Sequence, residues 1–163
     1  MLRYAGIGSR KTPLPVCKAM TGAAVQLYDM GYTLHSGGAI GADEAFATGG
    51  GARSRIYTVD DVTSAAIELA KHYHPTWHKL SMIGKSLMAR NGFQVLGDDL
   101  VSPVDFVACW TPYGEVRGGT GQALRIAMDP LWNIPVFNLY YPHNYSHLLS
   151  FAIDQARKAN PNV

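Results

Sequence analysis

Three glycine-rich segments carry the chemistry legible in this chain: Gly6-Ile7-Gly8-Ser9-Arg10, Ser36-Gly37-Gly38-Ala39-Ile40-Gly41-Ala42-Asp43 and Gly118-Gly119-Thr120-Gly121. Glycine lets backbone amides approach an anion closely, and a helix N-terminus adds unpaired N–H groups and a favourable dipole. Phosphate is the anion such turns usually serve. Any one of them could be no more than a tight strand-to-helix connection. Three at strand ends, with Arg10, Lys11 and Arg117 alongside two of them, point instead to one nucleotide-type, phosphate-binding site. The expected contacts are Gly8, Ser9, Arg10, Ser36, Gly37, Gly38, Gly41, Gly118, Gly119, Thr120 and Gly121, with Asp43 as the carboxylate in the first turn of the following helix. That carboxylate could equally complement the helix dipole. Two common phosphate motifs fail. The third glycine position of G-x-G-x-x-G, counted from Gly6, holds Lys11, and the first glycine of a Walker A loop ending in Gly84-Lys85-Ser86 is replaced by Lys79.

The elements that must position these turns follow from short apolar runs alternating with helical periodicity. That alternation predicts a Rossmann-like, doubly wound α/β fold: a mostly parallel five-stranded sheet with helices on both faces, in the order 3-2-1-4-5, forming one domain over residues 1–163. Expected strands are 2–7, 32–35, 54–59, 104–110 and 134–139. The first helix starts with Thr12 as N-cap and Pro13 in the first turn, and stops at Gly31. A second runs from near Ile40 to Gly49–Gly51, and a third over 63–71, broken by His74-Pro75. The fourth begins near Thr76, with Trp77, Leu80, Ile83 and Leu87 on one face, and ends or kinks at Asn91-Gly92. A short helix over 122–129 stops at Pro130, and the last spans 146–158. In such a sheet ligands bind beyond the carboxyl ends of the strands, where all three turns fall.

Bulk properties narrow the classes. Fourteen Lys and Arg against twelve Asp and Glu give a formal charge of +2, too little to predict nucleic-acid binding from net charge. Cys17 and Cys109 follow no metal or redox spacing and read as buried thiols. There is no charged-then-apolar leader and no run of 18 apolar residues, so the expectation is a cytoplasmic protein with no membrane partner. His72, His74 and His78 are interrupted by Pro75 and read as surface or hydrogen-bonding residues, so no metal or other cofactor is expected. His35 adjoins the second turn and is open to ligand contact or to capping the strand end. Trp110 reads as core or cleft wall, with base stacking as an alternative, and 113–117 as a loop over the ligand.

Tyr4-Ala-Gly-Ile-Gly-Ser-Arg10 with Thr12-Pro13 resembles the opening of DprA/Smf-like proteins, which belong with LOG-type proteins in the SLOG superfamily. Ser36-Gly-Gly-Ala-x-Gly-Ala-Asp43 is similar to that group's second signature. Trp110-Thr-Pro, Gly118 to Ala127 and Ile134-Pro-Val-Phe-Asn138 are similar to short stand-alone DprA-like proteins of bacteriophage genomes. The resemblance implies nucleotide or nucleotide-derivative binding, serving DNA metabolism or sequestration of a host signal, with the host cytoplasm as location. It implies two alternatives. One is N-glycosidic cleavage of a nucleotide, with Arg90 as counterpart of the LOG arginine; for its catalytic carboxylate the residues themselves offer Asp43, ahead of Glu44, Asp98-Asp99 and Glu115. The other is single-stranded DNA binding, with Arg10, Lys11, Lys85, Arg90 and Arg117 available to phosphates. A homo-oligomer is left open by analogy with LOG proteins. Against the LOG signature P-G-G-x-G-T-x-x-E, this chain has Arg117 for the proline, Gln122 for the threonine and Arg125 for the glutamate. An arginine in place of that acid would oppose an oxocarbenium-like transition state, which argues against the LOG mechanism.

Overall fold

The five apolar runs become five parallel strands in the computed structural model, which describes residues 1–162. They are β1 (Arg3–Gly8), β2 (Thr33–Ser36), β3 (Ser54–Ile56), β4 (Phe106–Trp110) and β5 (Val136–Asn138), in the order β3-β2-β1-β4-β5. Six helices connect and cover them: α1 (Leu14–Asp29), α2 (Ala42–Gly50), α3 (Ser64–Tyr73), α4 (Met82–Leu96), α5 (Gly118–Met128) and α6 (Asn144–Ala159). The Rossmann-like arrangement expected from the alternating pattern is therefore present.

Successive β1 side chains enter opposite cores, as strand geometry demands. Tyr4 packs with Met20, Leu27, Phe46 and Leu148 beneath α1, α2 and α6. Ala5 and Ile7 pack with Val95, Leu124 and Ile126 beneath α4 and α5. A third cluster, Tyr57, Ala66, Ala70, Ala89 and Phe93, joins α3 to α4. Burial on both faces is why the strands read as continuous apolar runs rather than alternating ones.

Three local expectations are corrected. Thr12 is not the N-cap of α1: Pro13 takes that place, and the Thr12 hydroxyl donates to the Ser9 carbonyl at 2.6 Å, inside the first glycine turn. The segment after Pro75 is not one helix ending at Asn91-Gly92. It forms a single 3-10 turn over Trp77–Lys79, and α4 starts only after Ser81, whose hydroxyl accepts the Gly84 N–H at 3.0 Å. Ile83 is consequently exposed, and the helix runs on to Leu96 with Asn91 and Gly92 buried. Gly92 survives mid-helix because α3 packs against it: a Cβ there would lie 3.0 Å from Leu69 Cδ2. Packing outweighs the roughly 1 kcal/mol that glycine costs a helix interior. Finally, α5 begins at Gly118 rather than at 122, so the third glycine turn is the first turn of the helix itself.

Candidate functional site

Strand β1 pairs with both β2 and β4, and the chain reverses its direction of travel across the sheet between β1 and β4. Their carboxyl ends lie side by side, with Gly8 in register with Trp110. A cleft of about 670 Å³ opens there, at the place where open α/β sheets bind ligands. Gly8, Ser9, Arg10 and Lys11 form one wall, and Ala39 and Asp43 the floor beside it. Leu87, Met88, Arg90, Asn91 and Gln94 of α4 line a second wall, and Thr111 to Tyr113 with Arg117 to Thr120 line the third.

Eight of the expected residues thus meet: Gly8, Ser9, Arg10, Asp43, Arg90, Gly118, Gly119 and Thr120. Ser36, Gly37, Gly38, Gly41 and Gly121 do not line the cleft. Ser36 is fully buried and its hydroxyl donates to the Gly6 carbonyl at 2.6 Å, tying β2 to β1. Gly37 is the bed on which Arg90 lies: its carbonyl accepts from Arg90 Nη1 at 3.1 Å, and a Cβ there would sit 2.7 Å from Arg90 Cζ. Gly38 makes the turn at φ 69°. Gly41, at φ 92°, lets the second turn touch the first, since a Cβ would be 2.7 Å from the Ser9 carbonyl oxygen. Gly121 keeps the backbone of Val116 close, at 3.0 Å from its missing Cβ.

The electrostatics of the cleft separate the three turns. Asp43 is 3% exposed; its Oδ1 accepts the Gly8 N–H at 3.0 Å and its Oδ2 the Ala39 N–H at 3.4 Å. Burial pushes its carboxyl up to about 6, against the pull of these amides and of Arg90. The first two turns therefore already hold an internal carboxylate on amides that an external anion would otherwise use. The third turn is different. No side chain caps α5 among the described residues, and the first-turn amides of Gly118, Gly119 and Thr120 have no acceptor within the helix. Two donors of α4, Arg90 Nε and Gln94 Nε2, are buried without partners, and both side chains pack over Gly37, where a Cβ would clash with them. Burial lowers the Arg90 pKa and Asp43 raises it, and guanidinium chemistry keeps it cationic. The open amides of α5, with Arg90 lining the same cleft, suit an anion seated between α4 and α5.

The residues that differ from the LOG signature have positions of their own. Arg125 faces away from the cleft: its Nε donates to the Tyr73 carbonyl at 3.1 Å and its Nη2 to Gln122 Oε1 at 2.7 Å. Gln122 Nε2 in turn donates to the Ala70 carbonyl at 3.0 Å. Both serve the C-terminal end of α3, so Arg125 does not oppose charge in the cleft, contrary to the sequence-based argument. His35 is buried against Tyr57 and outside the cleft wall, with burial lowering its pKa to about 4. Trp110 also lies outside that wall, its ring 6.3 Å from that of Tyr140. Of the other carboxylates, Asp98 pairs with Arg55 and Glu115 with Arg117. Among the described residues, no group of three or more His, Cys, Asp or Glu is placed to hold a metal ion.

Sequence reasoning missed Gln94, Asn91 as a bridging residue, and the apolar pair Leu87 and Met88. One signal was available: Gln94 follows Arg90 by four residues, which puts both on one helix face.

A solved structure of DNA processing protein A from Helicobacter pylori, described for its single-stranded DNA binding mode, superposes with a TM-score of 0.59 at 19% identity. The match covers 84% of this chain and 64% of that one. The fold is DprA-like. This chain spans less than two thirds of that protein's length, and the likeness at this identity concerns the fold alone. No family model matches the chain. No curated protein matches it either. Among the described residues no helix is long and apolar enough to cross a membrane.

Proposed function

We propose that the cleft between β1, α4 and α5 binds a nucleotide or nucleotide derivative through its phosphate. The observation that supports this is the uncapped α5 N-terminus opening on a cleft that Arg10 and Arg90 also line. The volume of about 670 Å³ falls within the range of small-molecule sites. Leu87, Met88, Pro112 and Tyr113 supply the apolar wall a base requires, and Arg10 sits at the mouth. Thermal-shift screening against nucleoside mono-, di- and cyclic nucleotides tests the reading, because a ligand held only by the folded state raises the melting temperature. Arg10→Ala should reduce the shift without unfolding the protein. No shift across the panel would defeat the proposal.

A second reading is that the nucleotide arrives as a unit of single-stranded DNA. It is supported by the exposed cations Arg10, Lys11 and Arg117 around the mouth, and by the fold shared with a protein described as binding single-stranded DNA. Binding to an oligothymidylate should then weaken log-linearly with salt, by a slope of roughly −0.7 per phosphate neutralised. A free mononucleotide bound tightly with no binding of oligonucleotide would exclude it. N-glycosidic cleavage draws less support, since both Asp43 oxygens are engaged by backbone amides. Release of free base from a nucleotide panel, followed by chromatography, would reinstate it.

A further inference from the structure

We infer that the chain carries a base-stacking track for single-stranded nucleic acid, leading from Tyr113 at the cleft mouth across Tyr140 and Tyr141 to His143; this rests on the single-strand reading of the cleft. The rings form a continuous exposed series. Tyr113 is 71% exposed and also lines the cleft, and its ring centre lies 6.3 Å from that of Tyr140. Tyr140 and Tyr141, 38% and 44% exposed, are 5.2 Å apart, and Tyr141 is 6.1 Å from the exposed His143. None of these four rings belongs to the three buried clusters.

The series is built into the fold rather than scattered on a loose loop. Asn138, buried at the end of β5, links it to the cleft: its Oδ1 accepts the N–H groups of Tyr140 at 3.1 Å and of Thr111 at 3.3 Å, and its Nδ2 donates to Thr111 Oγ1 at 2.7 Å. Thr111 is itself part of the cleft wall. Tyr141 packs the hydroxyl end of its ring against Gly114, where a Cβ would come within 2.7 Å of it. Tyr113 is held at φ 59°, a backbone conformation that residues other than glycine rarely adopt. An aromatic platform continuous with a phosphate-binding cleft fits a single strand better than it fits a protein: bases stack on rings regardless of sequence, while the cations of the mouth follow the backbone.

Fluorescence anisotropy with the full chain tests the track. The ligands are a labelled oligothymidylate of about 15 nucleotides, near the upper end of single-fold site sizes, a trinucleotide, and the trinucleotide extended by an abasic tail of the same total length. The long oligonucleotide should bind more tightly than the abasic-tailed one, which carries the same phosphates without bases. Changing Tyr140→Ala and Tyr141→Ala together should weaken the long ligand about tenfold or more and leave the trinucleotide unchanged. The corresponding phenylalanine pair should bind like the parent. Equal affinity of the abasic-tailed and full ligands, or an alanine pair that binds the long ligand normally, overturns the track while leaving the cleft reading intact. Absence of binding to any oligonucleotide removes the track together with the single-strand reading. If the alanine pair melts early, the abasic comparison on the unaltered protein decides alone.

Discussion

Asn91 Nδ2 donates to the Gly119 carbonyl across 2.8 Å, while Asn91 Oδ1 accepts from Arg90 Nη2 at 3.1 Å. Arg90 also holds the Gly37 carbonyl, so two adjacent residues of α4 join the second glycine turn to the third. Asn91→Ala should destabilise the fold by about 1–3 kcal/mol, because it removes a buried side chain that makes two hydrogen bonds, and should weaken phosphate-bearing ligands. Asn91→Asp should weaken them further, since its carboxylate faces the Gly119 carbonyl and the incoming anion. Denaturant midpoints and calorimetric titration with a nucleoside monophosphate read both effects.

Gln94 predicts a separation of stability from binding. It is 2% exposed and its Nε2 has no partner, which costs the free protein on the order of 1–3 kcal/mol. Gln94→Leu should therefore match or exceed the parent in melting temperature and leave the affinity for phosphate-bearing ligands unchanged, because Nε2 is sealed from the cleft against Gly37. A loss of affinity in a variant of undiminished stability would show that Nε2 turns into the cleft on binding.

Asp43 and His35 make opposite contributions to the pH dependence of stability. Folded Asp43 takes up its proton near 6, against an ordinary value of 3.8, so between these values the folded state holds the extra proton and stability falls as pH rises. Folded His35 protonates only near 4, against 6.5, so there the unfolded state holds the extra proton and stability rises with pH. The two slopes oppose each other from about pH 4 to pH 6. Asp43→Asn should leave a protein whose stability climbs steeply across this window, by an amount on the order of 3 kcal/mol. His35→Gln should leave one whose stability declines. Urea unfolding at a series of pH values measures both, and parallel profiles for the two variants would contradict the assignment.

Arg125 occupies the position of the LOG glutamate in sequence but serves α3 in space. Arg125→Glu should release no free base from any nucleotide, because the side chain lies outside the cleft. It should cost about 1–3 kcal/mol through the unpaired Tyr73 carbonyl and the lost bond to Gln122. Chromatographic assay and thermal unfolding check the two halves of the prediction, and appearance of free base would show that α5 can rotate to present residue 125 to the ligand.

The sequence by itself determined the strand order, the number of strands and the meeting of the three glycine turns at one sheet edge. These follow from local periodicity and from the few topologies open to alternating strands and helices. It also pointed to Gly8, Ser9, Arg10 and Gly118 to Thr120 through the chemistry of glycine turns at strand ends, and to Arg90 through a family resemblance. Tertiary structure alone decided how the polar groups divide. Ser36 looks like a ligand residue in sequence, but its hydroxyl finds the Gly6 carbonyl once β1 and β2 pair, and the Thr12 hydroxyl turns back to the Ser9 carbonyl instead of capping α1. Asp43 reaches Gly8, 35 residues away, and so fills the first two turns with an internal anion. The α5 terminus stays open because no side chain among the described residues caps it, and Gln94 lacks a partner because packing seals its Nε2 against Gly37. Such outcomes depend on hydrogen-bond competition among groups distant in the chain, which composition and spacing do not encode.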